Sequence, residues 1–529
     1  MRSRTGALLS LSHSGFSKSA LFAALPQGNS LEERRVVSTP VPHLTIFTAR
    51  PKVSNPSGCD KRSCMLKNLL FTSVYLRRAG RCLIIVIALS IFQLSASAQL
   101  PDILTPPPNI VVPNYEGIPI GPFAGLEASA YVARSSDPSA AWFNPAGLSR
   151  AKGAQISGSA GLYQYTKLSP EVSPGAGTSV QHVPNLVGFT MQHGDKLTFG
   201  GAILTPVSWA QRTNMEVQLQ SGANLERFAY SSDAEFNRRV VAVSAGYESD
   251  SKWRFGGGLT FLYTSLNTSQ TISDRIAEPT GLRTLLVTSR LTGSDMKIGA
   301  VGGVQVDVHP NIRVGGVIRT SGFSIYRSGT GTLEGTERNG AASRGASFFD
   351  PEAEFHYNLP FEFTGAIAYV GKRAEVETTV RAYTSVGPYS LLSSTENSLI
   401  YNDNGLGGPP TIQQVPFQGL TSASKGIANV AVGGHYQIFA DRELRIHFGV
   451  TTDLSPVAPE DQVFDKVDLT AFTVGLSGRF DKLTYAAGFN YRGGTSENLK
   501  LKNILSGPEI TTNIGVRTMG MIYSVAYQF

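Results

Sequence analysis

The chain has 529 residues, 55 of them glycine and only 16% charged, with a mean hydropathy near zero. Its formal charge of +7 belongs to the front: residues 1–98 hold 13 Lys/Arg against 3 Asp/Glu, and the remainder carries 33 basic and 36 acidic residues. That balance excludes a nucleic-acid surface, and with Cys59, Cys64 and Cys82 all in the front, the rest of the chain is excluded from disulfide and thiolate chemistry.

Residues 1–64 are basic and unpatterned, and we read them as a mis-assigned start or a disordered leader, with Met65 the initiator. Residues 65–98 form a secretory signal peptide. Lys67, Arg77, Arg78 and Arg81 precede the apolar core Leu83 to Leu94, and Ser95-Ala96-Ser97-Ala98 supplies small residues for cleavage, giving a start at Gln99. The core is short for a permanent spanning helix, the alternative reading. No later apolar run reaches helix-spanning length, so any crossing after Ala98 must be made by strands.

Residues 99–154 are a Pro-rich leader followed by a plug. From Leu100 to Gly121 the prolines remove ladder donors, and from Phe123 to Arg150 small residues with turns at Asp137-Pro138 and Asn144-Pro145 predict short helical turns. From residue 155 to 529 fourteen strands are predicted, among them 197–209, 238–248, 253–272, 295–308, 312–326 and 517–529. Period-two alternation is clear in several. Trp253, Phe255, Leu259, Phe261 and Tyr263 oppose Arg254, Gly256, Gly258, Thr260 and Thr264; Phe472, Val474, Leu476 and Phe480 oppose Thr473, Gly475, Ser477 and Arg479.

A soluble sandwich can alternate in this way, and the connections decide against it. Six short turns (194–196, 249–252, 309–311, 371–373, 439–442 and 481–482) alternate with seven long loops, the asymmetry of an outer-membrane barrel. The parity puts both barrel ends on the short-turn side, where the plug and the terminal Phe529 belong. Trp253, Tyr369, Tyr436, Phe439, Phe480, Tyr485 and Tyr527 gather there as an aromatic girdle. The expected fold is all-β: a 14-stranded antiparallel transmembrane β-barrel over 155–529 with an N-terminal hatch.

Fourteen strands behind a plug resemble the long-chain fatty acid transport porin family of Gram-negative outer membranes, which includes toluene and xylene uptake channels. The stretch DPSAAWFNPAGL is similar to that family's hatch motif, with Asp137, Asn144, Pro145, Ala146, Gly147 and Leu148 as the matching positions. Thr205-Pro206 with Trp209, and Leu359-Pro360 leading into Gly365 and Tyr369, are weaker echoes. The resemblance implies a monomer in outer-membrane lipid that takes a hydrophobic small molecule, a fatty acid or an aromatic hydrocarbon. The ligand would be captured outside, held in the lumen and released sideways where the third strand kinks inward. Gly200, Gly201 and Pro206 are the candidate kink residues.

Alternation also places Arg254, Arg313, Arg319, Glu375, Glu377, Arg381, Arg445, His447 and Arg479 on the lumen side. Of these Arg254, Arg319, Arg381, Arg445 and Arg479 are candidate partners for a fatty carboxylate; the competing reading is an ion-pair ladder along the wall. Leu282, Leu285, Leu286 and Val287 in one outer loop, and Tyr389, Leu391, Leu392, Leu399 and Ile400 in another, are candidates for a greasy landing surface or for local packing. The eight histidines are dispersed without metal spacing, so no metal and no cofactor is expected. An enzyme is not expected either, because His435 and His447 lack a serine signature. Passive transport is the reading adopted, against a secretion-accessory or scaffold barrel of the same fold.

Overall fold

The computed structural model describes residues 111–170, 177–221, 224–250, 252–279, 281–439, 443–502 and 509–529; the leader and signal peptide lie outside them. After α1 (Ala140–Phe143) and a 3-10 turn (Pro145–Arg150) the described residues form β1 (Ala154–Pro170), β2 (Gly177–His193), β3 (Leu197–Ser221), β4 (Asn224–Glu248), β5 (Trp253–Glu278), β6 (Gly281–His309) and β7 (Ile312–Arg319). There follow β8 (Phe323–Asn339), β9 (Ala342–Asp350), β10 (Glu354–Phe355), β11 (Glu362–Val370), β12 (Ala374–Tyr383), β13 (Val386–Ser393), β14 (Asn397–Asp403), β15 (Thr411–Pro416) and β16 (Leu420–Ser424). The last are β17 (Ile427–Phe439), β18 (Leu444–Asp453), β19 (Asp468–Phe480), β20 (Leu483–Lys502) and β21 (Glu509–Gln528).

Fourteen of these, β1 to β7, β11, β12 and β17 to β21, each pair antiparallel with the next. The ring closes where β21 returns to β1, with Ile156 opposite Tyr527 and Ala160 opposite Tyr523. Closure leaves no edge, which is what lets strands exist in lipid. The alternation falls as expected. Phe255, Leu259, Phe448, Phe472, Val474 and Val525 are exposed on the outside, whereas Thr260, Thr264, Thr451, Ser477 and Ser524 are buried inside. Trp253, Tyr369, Tyr436, Phe480 and Tyr485 ring the short-turn end, exposed to the surroundings.

The strands run further than their pattern announced. β3, β4, β5 and β6 are 25, 25, 26 and 29 residues long, whereas about ten tilted residues cross a bilayer. Their outer halves carry a second structure. β8 pairs with the outer half of β6, β9 with β8, β14 with β9 and β15 with β14, while β10, β13 and β16 form a small separate sheet. The seventh barrel strand therefore ends at Arg319, and Gly322, in the left-handed region at φ 74°, turns the chain into β8.

This outer part has its own apolar core, in which Leu285, Val287, Phe348, Phe355, Leu391 and Phe464 pack together. Of the predicted landing residues, Leu285, Val287, Leu391 and Leu392 are buried here, and Leu282, Leu286 and Leu399 are exposed. Val111 and Val112 belong to the same core. From it the chain descends through the lumen as a strap. Asn114 donates to the carbonyls of Asp453 (2.8 Å) and Val467 (2.9 Å), and Tyr115 packs on Tyr383 with ring centroids 4.5 Å apart.

Candidate functional site

The hatch fills the lumen below the strap. Asn144 organises its motif: the side-chain amide donates to the carbonyls of Val132 (3.0 Å) and of Val304 in β6 (3.0 Å), and its oxygen accepts from Ala146 N (3.2 Å). The side chain thus caps the 3-10 turn, and Pro145 starts it where no N–H is required. Asp137 is buried, with its Oδ1 accepting from Ser139 N at 2.8 Å. Burial pushes the Asp137 carboxyl up to about 6, and hydrogen bonds from Ser139 only partly oppose that.

Glycines on the inner wall receive the hatch. A methyl group on Gly256 would lie 2.2 Å from Ala146 N, and one on Gly303 would lie 2.1 Å from Asn144 Oδ1. The wall also grips the hatch with charge. Glu377 accepts from the backbone N–H groups of Ala133 and Arg134, each at 3.2 Å. Arg150 of the hatch and Arg254 and Arg313 of the wall all converge on Asp307, at 2.7 to 2.9 Å. Arg254, a candidate carboxylate partner, is thereby committed to a structural network that also takes in Glu248.

Above the hatch a cavity of about 70 Å³ is left beside the strap, with Tyr115, Ile118, Trp142, Pro206, Leu262 and Leu359 in its lining. Arg319 and Arg381 reach it and both are engaged. Arg319 pairs with Glu362 and lies 3.7 Å over the Trp142 ring; Arg381 pairs with Glu116 at 3.0 Å. Arg238 also reaches it and was missed by the alternation argument. Its side chain is buried between the rings of Tyr115 and Tyr357, and its Nε and Nη2 have no hydrogen-bond partner among the described residues. Three arginines against two glutamates leave this cavity with one positive charge in excess. Arg445 and Arg479 lie elsewhere, in a cavity of about 320 Å³ at the short-turn end. There Arg445 sits over Phe123, and Arg479 bonds Gln528 Oε1 at 3.0 Å.

The wall is incomplete next to the lumen cavity. Between the pairs Gly177 with Thr213 and Leu186 with Leu204, the β2–β3 ladder has no register pairs, and β3 shifts register against β4 between Leu204 and Val207. Thr205 and Pro206 occupy that shift, and Pro206 brings no N–H to a ladder. Its carbonyl instead accepts from Ile118 N of the strap at 3.1 Å. A cavity of about 530 Å³ lies in the gap, lined by Leu186 and Leu204 from the inner face and by Val187 and Ile203 from the outer one. Pro206 lines the lumen cavity and Thr205 the wall cavity. Gly200 and Gly201 lie below, in regular ladder opposite Thr190 and Phe189, and a methyl on Gly200 would meet Leu148 of the hatch at 2.6 Å.

No protein-family model matches the chain, and no curated protein matches it significantly. Among solved structures it is similar to a Pseudomonas aeruginosa FadL homologue, with 13% identity, a TM-score of 0.52 and coverage of 79% of this chain and 100% of that one. It is also similar to the Pseudomonas putida toluene transporter TodX, with 16% identity, a TM-score of 0.50 and coverage of 79% and 99%. At these identities the likeness is one of fold. The chain is a plugged fourteen-stranded barrel with the fold of the FadL homologue and TodX.

Proposed function

We propose that the chain carries hydrophobic molecules with an anionic head, of the long-chain fatty acid class, passively across an outer membrane. Arg238 carries this reading. A buried guanidinium with no ion-pair partner among the described residues costs several kcal/mol, which a ligand carboxylate offsets and a neutral aromatic hydrocarbon does not. The apolar lining around it suits the proximal methylenes of a tail. The motif residues Asp137, Asn144, Pro145, Ala146, Gly147 and Leu148 keep the lumen closed to water below the ligand. The tail then leaves sideways through the gap at Thr205-Pro206, gaining about 0.8 kcal/mol for each methylene it buries in the bilayer. In this reading the signal peptide is removed after Ala98, the long loops face outward, and the short turns face the periplasm. The barrel acts as a monomer.

The test is saturable binding of radiolabelled oleate to the detergent-purified chain. One oleate per chain is expected, with affinity reduced at least tenfold in Arg238→Leu and little binding of toluene. Equal binding of toluene, or an unchanged Arg238→Leu, would overturn the acid reading. Co-purification of a stoichiometric protein partner with no oleate binding would favour the scaffold role.

A further inference from the structure

The fold brings together a set of side chains that the transport reading does not use. His435 and His447 stand opposite each other in register across β17 and β18, facing inward. Between them comes Glu127 of the hatch, whose Oε1 lies 3.0 Å from His435 Nδ1 and 2.8 Å from His447 Nδ1. Glu127 sits in a turn where Ala128 and Ser129 both adopt left-handed backbone, at φ 49° and 65°. Such strain persists only where surrounding contacts enforce it. Here Gly433 and Gly449 admit the turn, since a methyl on either would lie within 2.4 Å of the Glu127 backbone.

The donor atoms of these three residues lie within 4.8 Å of one another. Bonds of 2.0–2.2 Å in a tetrahedral zinc site leave neighbouring ligands about 3.4 Å apart, so the set is within a small adjustment of that geometry. The surrounding charge favours a cation. Arg134 is shared by Glu127, Glu375 and Glu377, and Arg445 lies over Phe123 beside His447, so three carboxylates meet two guanidiniums and the imidazoles, when neutral, add nothing. The outer shell is also in place: His447 Nε2 lies 2.7 Å from Ser477 Oγ, which fixes the ring, and Phe123 stacks over it at 5.6 Å. His435 is only partly buried, which leaves the set accessible from that side.

We propose that Glu127, His435 and His447 bind a divalent first-row transition metal, zinc by the donor set, and that the metal ties the hatch to β17 and β18. Two imidazoles and a carboxylate suit such ions better than calcium or magnesium. The test uses the untagged full chain in detergent, stripped with a chelator and titrated with Co²⁺ alone while visible absorption is recorded. One Co²⁺ per chain with ligand-field bands is expected, and His435→Gln and His447→Ala should each weaken it at least tenfold. Heat-modifiable migration on a gel establishes that each variant is folded; His435→Gln, at the partly exposed position, serves if His447→Ala fails to fold. Absence of bands in the native chain, or unchanged binding in a folded His435→Gln, would overturn the site.

Discussion

Asp137 and Arg238 are both buried ionisable groups, and each makes a measurable prediction. The Asp137 carboxyl is raised from 3.8 to about 6, first of all by burial, so the folded hatch holds the proton more tightly than the unfolded chain. That contribution to stability is fully present below about pH 4 and is lost as pH rises through about 6, an effect on the order of 2–3 kcal/mol. Hydrogen exchange in Ala140–Phe143, corrected for intrinsic rate, should therefore show greater protection at pH 5 than at pH 7, and Asp137→Asn should flatten the profile. For Arg238→Leu the loss of a charged hydrogen bond, about 1.5–3 kcal/mol, corresponds to a ten- to hundredfold weaker oleate affinity. The hatch motif was legible because it is contiguous and its residues cap and turn locally. Arg238 was not, because the predicted fourth strand began at that residue, and without the outer half of β4 the alternation had no anchor to set it apart from Arg239. The pairing of His435 with Glu127 could not be read at all, since it depends on which wall strand the hatch faces.

At the scale of elements, all fourteen barrel strands could be placed from the sequence, several of them as clear alternating runs, but most of their outer extensions could not. In β4 the stretch Ser231-Ser232-Asp233 is polar on both faces, and so looks like loop although it is laddered to β3 and β5 throughout. The gap between β2 and β3 leads to a further expectation. Deleting Pro206 alone removes the one extra residue, so Thr205 comes opposite Arg239, every later side chain keeps its face, and Leu204 and Val207 become continuous against β4. Oleate uptake by cells should fall more than tenfold while oleate binding in detergent persists; uptake at the original rate would remove the gap from the pathway. Further round the wall, Gly303→Val would press against Asn144. An overpacking penalty of about 1–3 kcal/mol is expected, seen as increased ion conductance of the reconstituted barrel when the hatch unseats.

Across the whole molecule, strap, hatch and wall are one continuous chain whose halves restrain each other. Asn114 fastens the strap to the carbonyls of Asp453 and Val467, and Asn114→Ala leaves both without that donor at a cost of about 1–3 kcal/mol. Faster entry of oleate, measured by stopped flow, should accompany that loss. The route of the strap has another consequence. The chain passes from the outer core at Val111 through the lumen to the hatch before β1 begins, and the ring is then sealed by β1 and β21, the strands furthest apart in sequence. The molecule is thus a ring threaded by its own beginning. Sealing it first would require a free end to be pushed past a lumen already crowded with side chains, so threading and sealing belong to one assembly event.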